Sequence, residues 1–382
     1  MHCENKYLSR NITKPKYITS LNAIEAFAES ERAKLAQVTD KYKFRANEYY
    51  LSLIDWNDPD DPIRNLIIPN IHELDEWGRL DPSNECAYTV IPGLEHKYDS
   101  TVLLLISSVC GGICRYCFRK RVFINKNEEI LTDLPAAVRY ISEHKEITNI
   151  LLTGGDPLML STGKLREIIT AFQQIEHVRI IRIGTKVPAF NPYRILEDSE
   201  LLDLFESTGN TNTQLYVLVH FNHARELTDV AVDAVNALRK TGAELANQTP
   251  LIRGINDNPQ TMADLFQSLS FIGVPPYYVF QCRPASGNKG YAVPVEEGYQ
   301  IIKQANSIVS GLAKRARFTM SHTTGKIEIV GLTASHIYFR YHRAADNDDS
   351  GRLLIFERNP AAYWLDDYEI PVEYGYAERC CN

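Results

Sequence analysis

A chain of 382 residues with 44% hydrophobic and 23% charged positions is long enough to bury a large core, as one big α/β domain or as two domains. Its formal net charge of -7 and pI near 5.9 give no overall attraction to nucleic-acid phosphates or to an anionic membrane surface, which argues against both as partners. The polar start MHCENKYLSRN has no apolar centre of a secretory signal, and the run Val102 to Ile106 is far too short to cross a bilayer, so a soluble, cytoplasmic protein is expected.

Residues 20 to 95 read as helical and loop material: a patterned segment from Leu21 to Tyr50, the turn-rich stretch DWNDPDDPIRN, and a further helix near Ile71 to Trp77. This is expected to form a layer laid against a later core. From Thr101 the pattern changes to short apolar runs, TVLLLISS, ITNILLT, VRIIRIG, QLYVLVH, AELANQT and PYYVFQC, which give six candidate parallel strands. Between them lie helical spacings such as Leu134, Val138 and Ile141, or Leu165, Ile168, Ile169 and Phe172. The repeated βα unit implies a parallel sheet or open barrel with its chemistry at the carboxyl ends of the strands. After about Ala316 the pattern turns irregular, with the acidic stretch AADNDDSG before a last apolar segment, LLIFE. The expected fold is α/β, a partial (βα)6 TIM-like barrel, divided into an N-terminal helical region (1–95), a core (96–315) and an irregular C-terminal extension (316–382).

Eight cysteines in a large chain without an export signal point to metal or redox chemistry rather than to a disulfide framework. Three of them stand in CGGICRYC, directly after the first strand, with spacing C-x3-C-x2-C: Cys110, Cys114 and Cys117. Gly111 and Gly112 let the backbone wrap closely around a bulky inorganic group. Three thiolates leave one iron of a [4Fe–4S] cluster without a protein ligand, and a molecule carrying an amine and a carboxylate, such as S-adenosylmethionine, can chelate it. A structural zinc would want four protein ligands, and three core cysteines would not explain two glycines and an arginine between them.

Gly154 and Gly155 of LLTGGDPL follow a strand, where backbone amides and carbonyls can grip a ligand and Asp156 can oppose a cation; a plain strand-to-helix turn is an equal reading. Lys326, after the loop SHTTG, would in isolation be a surface lysine. His220 and Gln248 would be polar residues at a barrel mouth, and Arg119 a solvated charge in RKR.

The chain resembles the radical S-adenosylmethionine superfamily and, within it, the lysine 2,3-aminomutase family, from about residue 45 to 330. The resemblance is carried by YYLSLIDWNDPDDPIRN, CGGICRYCFRKR, LLTGGDPL, HFNHARELT, ANQTPLIRGIND and PYYVFQC, in the family's order. It implies that Gly154, Gly155, Asp156, His220 and Gln248 bind S-adenosylmethionine, that Arg119 binds the carboxylate of an amino acid substrate, and that Lys326 forms a Schiff base with pyridoxal 5'-phosphate. Only one glycine, Gly325, precedes that lysine here. For the cofactor phosphate, Lys97 and Tyr98 are available, while the family's second basic residue is matched by Thr101.

Lysine enzymes of the family hold the distal ammonium with two aspartates, and neither is found. Arg283 follows Gln281 and Cys282, and Thr319 or Ser321 stands at the second position. A distal carboxylate would pair with Arg283 where an ammonium would meet a cation, which favours an acidic or polar substrate such as glutamate, unless Arg283 binds a phosphate or a carbonyl instead. Asn258 replaces a ligand of the family's subunit-bridging zinc, and only Cys380 and Cys381 end the chain, so that zinc is not expected and a homo-oligomer stays open. The implied reaction is abstraction of a Cβ hydrogen followed by nitrogen migration, giving a β-amino acid, with a reductant such as flavodoxin or ferredoxin. The alternatives are a lysine 2,3-aminomutase or radical enzyme acting on another amine-bearing substrate, and a non-catalytic protein that binds an iron–sulfur cluster and S-adenosylmethionine.

Overall fold

The computed structural model describes residues 14–124, 129–209, 211–369 and 371–375. Cys380 and Cys381 lie outside them. A small antiparallel pair, β1 (Tyr17–Ile18) and β2 (Ala46–Asn47), opens the chain together with helices α1 (Glu29–Lys41), α2 (Glu48–Leu51) and α3 (Pro62–Ile67). The stretch NDPDDPIRN becomes the start of α3 because Asp61 accepts hydrogen bonds from the amides of Ile63 and Arg64, with Pro62 at the first helical position.

All six expected strands form: β5 (Thr101–Ser107), β6 (Asn149–Gly154), β7 (Ile180–Thr185), β8 (Gln214–Val219), β9 (Glu244–Leu251) and β10 (Pro276–Gln281), after the leading strands β3 (Thr89–Ile91) and β4 (Leu94–Tyr98). From β5 to β10 every neighbouring pair is parallel. The crossovers carry α4 (Leu134–Glu143), α5 (Thr162–Gln173), the short helices α6 (Val187–Phe190) and α7 (Tyr193–Leu196), α8 (Ser199–Gly209), α9 (Asp229–Lys240) and α10 (Pro259–Phe271); α11 (Val295–Ile308) follows β10. Successive strand residues point to opposite faces. Ile150, Leu152, Ile181, Ile183, Leu215 and Val217 pack on Ile141, Leu165, Ile169, Phe172, Phe205 and Val235 of the helices, while Leu151, Arg182, Leu218, Gln248 and Tyr278 face a cavity on the other side.

The C-terminal part corrects one expectation. Instead of an irregular extension, β11 (Arg317–His322) pairs parallel with β10, and β12 (Gly325–Leu332), β13 (His336–Ala344), β14 (Leu353–Glu357) and β15 (Glu373–Gly375) continue the same sheet antiparallel. The two flanks approach each other across the cavity: the Tyr88 hydroxyl donates to the Thr323 carbonyl at 2.8 Å and the Lys97 amine to the His322 carbonyl at 2.5 Å. The N-terminal layer has its own core, where Tyr49, Tyr50, Ile63, Leu66 and Ile67 pack on Phe190, Tyr193, Ile252 and Tyr291. No helix is long and apolar enough to cross a membrane among the described residues.

Candidate active site

A cavity of about 400 Å³ opens at the carboxyl ends of the parallel strands, and these residues singled out from the sequence line it: Cys110, Cys114, Cys117, Arg119, Gly154, Gly155, Asp156, His220, Gln248, Arg283 and Lys326, with Lys97 and Tyr98.

The cysteine loop leaves β5 and is held from behind by the N-terminal layer. Arg45 donates to the Cys110 carbonyl at 2.8 Å, the Ile113 amide donates to the Arg45 carbonyl at 2.9 Å, and the Arg115 amide donates to the Leu66 carbonyl at 2.9 Å. Arg115 between the cysteines faces away from the cavity, completely buried, and forks onto Glu73 with 2.9 and 2.8 Å contacts. Gly112 is packed closely from the same side: a Cβ there would stand 3.0 Å from Ile67 and 3.1 Å from Phe190, so either side chain would have to shift slightly. Burial pushes all three thiols up, Cys114 to about 12, and the sulfurs of Cys114 and Cys117 raise Cys110 further. Thiolates crowded in this way need cationic charge among them, which iron provides. Among the described residues no group of three or more His, Cys, Asp or Glu side chains is already drawn together as a metal site. By their chemistry, three cysteine thiols on the wall of one cavity are donors of the kind an iron–sulfur cluster with one open iron takes.

The glycine motif serves first to let β6 approach the end of β5. Gly154 has φ +122° and a Cβ on it would lie 2.4 Å from the Ser107 carbonyl oxygen. The amides expected to grip a ligand are occupied, because Gly155 N–H donates to Ser107 O at 2.5 Å and Asp156 N–H to Val109 O at 2.8 Å. What the turn can offer to a bound ammonium is therefore carbonyl oxygen. Among the described residues Asp156 forms no ion pair. Its carboxylate accepts from the Thr185 hydroxyl at 2.8 Å, the Lys186 amide at 2.7 Å and the Leu158 amide at 3.0 Å, so it ties β6 to β7, and burial raises it to about 6.

Behind His220 stands a buried group that sequence reading missed. The Lys186 amine meets Glu226 at 2.5 Å, Asn222 Oδ1 at 2.7 Å and the His220 carbonyl at 2.9 Å, and Tyr50 donates to Glu226 at 2.6 Å. Burial and the Lys186 charge bring His220 down to about 4, so its imidazole is neutral at physiological pH.

Lys326 stands on β12, one residue into the strand. The turn SHTTG is a tight hairpin with His322 opposite Gly325 and Ser321 opposite Lys326. Gly325 has φ +156° and a Cβ there would come within 2.4 Å of the Arg343 carbonyl oxygen, so the one glycine sits where it is required. The Lys326 amine lies 4.1 Å from the Tyr278 ring centre, and burial, with Arg182, Arg283, Arg343 and Lys97 around it, lowers it to about 7. Of the two residues expected near the second aspartate's position, Ser321 lines the cavity, and Thr319, fully buried with an unpartnered hydroxyl, does not.

Arg119 is buried, not solvated. Its guanidinium forks onto Glu85 at 2.8 and 3.1 Å and reaches the Thr153 hydroxyl at 3.3 Å. Burial works against Glu85, but Arg119 and Arg121 hold its carboxyl at about 2. Arg283 stacks on Phe118 at 3.6 Å and donates to the Ser83 hydroxyl at 2.7 Å, with Glu85 only at 3.9 Å; burial lowers it to about 10. Glu95, also missed, lies in the cavity wall with Oε1 unpartnered, raised to about 8 by burial and by Glu85. Its position two residues before Lys97 on β4 puts both on one face, a signal present in the sequence. Arg182, an arginine inside an apolar strand, was a second overlooked signal.

Comparison with known proteins agrees with this site. Residues 104–266 match the Radical SAM superfamily. The chain is 54% identical over 94% of its length to a protein of Aquifex aeolicus (strain VF5) provisionally named L-lysine 2,3-aminomutase, covering 97% of that protein. It is 35% identical to the L-lysine 2,3-aminomutase of Clostridium subterminale over 74% of this chain and 67% of that one. With the glutamate 2,3-aminomutase of Clostridioides difficile (strain 630) it shares 33% identity over 80% of this chain and 71% of the relative. Membership of the superfamily implies a [4Fe–4S] cluster and S-adenosylmethionine. The chain belongs to the lysine 2,3-aminomutase family and is a radical SAM aminomutase.

Proposed function

We propose that this aminomutase depends on pyridoxal phosphate held by Lys326 and acts on a dicarboxylic amino acid of the glutamate type, giving the β-amino acid. When bound, the cluster with S-adenosylmethionine supplies one-electron chemistry and pyridoxal phosphate supplies a carrier for the migrating nitrogen. Cys110, Cys114 and Cys117 hold the cluster, the glycine turn with His220 and Gln248 borders the S-adenosylmethionine site, and Lys326 presents an amine that is substantially neutral near pH 7.

The observation that carries the substrate assignment is the charge balance of the cavity. Lys186 is matched by Glu226 and Arg119 by Glu85, which leaves Lys97, Arg182, Lys326 and Arg343 without an ion-paired carboxylate among the described residues and Arg283 with Glu85 only at 3.9 Å, in a cavity whose wall also carries Glu95. With Glu95 raised to about 8, it is a carboxylic acid at neutral pH and can donate a hydrogen bond to a carboxylate beside Arg283. Such an excess favours a ligand with several negative charges. Arg119 Nη1, which Glu85 leaves to Thr153, is the part of that guanidinium nearest to hand for an α-carboxylate. A second reading follows from the same residue: an ionised Glu95 would face a distal ammonium, and the enzyme would accept a diamino acid such as lysine.

Product analysis separates the two. The wild type is expected to convert glutamate and not lysine, and Arg283→Asp to lose roughly 100-fold or more of kcat/KM for glutamate, as expected when a buried charge pair is broken. Turnover of lysine with no turnover of glutamate contradicts the reading.

The fold we infer with it is a partial (βα)6 barrel, supported by the hydrogen bonds that join β4 to the β11–β12 turn, with 1–95 as a backing layer and 316–382 bringing the lysine strand. The amino acid, a flavodoxin- or ferredoxin-type electron donor and a cytoplasmic setting complete this reading.

A further inference from the structure

We propose that Arg343 on β13 and Arg182 on β7 form a phosphate-monoester subsite beside Lys326, and that in this chain Arg343 supplies the guanidinium that position 101 lacks. The assignment of the phosphate to pyridoxal phosphate rests on the function proposed above.

Position 101 holds threonine where the resemblance calls for a basic residue, and Arg343 reaches that spot from 242 residues away. Its Nη2 donates to the Ser100 hydroxyl at 2.8 Å and to the Thr101 hydroxyl at 2.9 Å, and its guanidinium lies 4.3 Å over the Tyr98 ring. Arg343 is also the cross-strand partner of Lys326, so the two side chains stand together on one face of the sheet. The pairing is tight, since the Gly325 Cβ position is blocked by the Arg343 carbonyl.

Arg182 projects from the middle of β7 into the same cavity, and its Nε is buried without a hydrogen-bond partner. No carboxylate forms an ion pair with Arg182, Arg343, Lys97 or Lys326 among the described residues, whereas the other cavity cations Arg119 and Lys186 each have one. Neutral hydroxyls position Arg343 but leave its charge uncompensated. A buried, unpaired donor and several uncompensated cations are costly. A phosphate dianion, with three acceptor oxygens, satisfies both at once.

The test uses pyridoxine 5'-phosphate, which has no aldehyde and cannot react with Lys326, against pyridoxine, with Kd measured by calorimetry. Wild type and Lys326→Ala are expected to prefer the phosphate form. Arg343→Gln and Arg182→Gln are each expected to weaken binding of pyridoxine 5'-phosphate roughly 10- to 100-fold, as for loss of a charge-assisted contact, while leaving pyridoxine binding unchanged. Arg343→Lys, which keeps the charge, is expected to recover part of the loss and serves as the control for folding, with thermal melts of each variant. Unchanged binding of the phosphate form by both glutamine variants, or no phosphate preference in the wild type, overturns the subsite. An arginine-dependent phosphate preference in a protein whose Lys326 is never trapped by borohydride with pyridoxal phosphate supports the subsite and removes the cofactor reading instead.

Discussion

Lys326→Ala is expected to lower aminomutase turnover by a factor on the order of 10⁴ to 10⁶, the scale seen when a covalent catalytic group is removed, and to abolish borohydride trapping of pyridoxal phosphate on the peptide containing position 326. The loss will not come from misfolding. A lysine whose pKa falls to about 7 in the folded chain binds its proton less tightly there than when unfolded, so it destabilises the apoprotein below its unfolded pKa of about 10.4. Removing it from beside Arg182, Arg283, Arg343 and Lys97 relieves repulsion, and the variant's Tm at pH 7 should equal or exceed that of the wild type. In the wild type the rate of trapping should rise with pH and reach half its maximum near pH 7, because only the neutral amine attacks an aldehyde. Full trapping at another lysine, or full activity of Lys326→Ala, contradicts the assignment.

The second large effect lies outside the cavity. Glu73→Gln should cost about 3–5 kcal/mol of stability, since it leaves the Arg115 guanidinium buried without its charged partner. That is a large share of the ~5–15 kcal/mol by which a domain is stable. Burial acts to raise Glu73, but Arg115 and Lys120 outweigh it and hold the carboxyl below its usual range. Lys120 adds a second, weaker charge: its amine is 3.3 Å from Glu73, and although burial and Arg115 pull it down to about 8 it remains mostly protonated at pH 7. The stabilising pair is Arg115 with Glu73. Its contribution is present above the unfolded carboxylate pKa and is lost as the pH falls through the lower folded value. Because Arg115 sits between Cys114 and Cys117, iron content after reconstitution should fall with stability. The double replacement Glu73→Leu with Arg115→Met should be far milder than Glu73→Gln alone in urea denaturation. Equal losses would mean that the pair is not what anchors the loop.

The parallel strands were legible because each is a short apolar run bounded by turn residues, and the cysteine loop because its spacing has few other uses. The C-terminal strands were not. In RFTMSH and HIYFRYHRA the cavity side carries Ser321 and Arg343, so a half-polar strand imitated irregular chain. Arg115 could be seen as unexplained by a core, but its partner Glu73 lies 42 residues earlier. The roles of Arg343 beside Thr101, and of Glu85 beneath Arg119, depend on curvature of the sheet and on a layer packed later, which local pattern does not encode. Asp156 was legible as a turn residue; that its lone pairs are spent on Thr185, Lys186 and Leu158 was not.

The most direct test of the account is to incubate the anaerobically reconstituted enzyme with glutamate deuterated at Cβ and to weigh the 5'-deoxyadenosine and the amino acid product. The account predicts deuterium in 5'-deoxyadenosine together with 3-aminopentanedioic acid. Unlabelled 5'-deoxyadenosine and unchanged glutamate, with label transferred from Cβ-deuterated lysine instead, would contradict it.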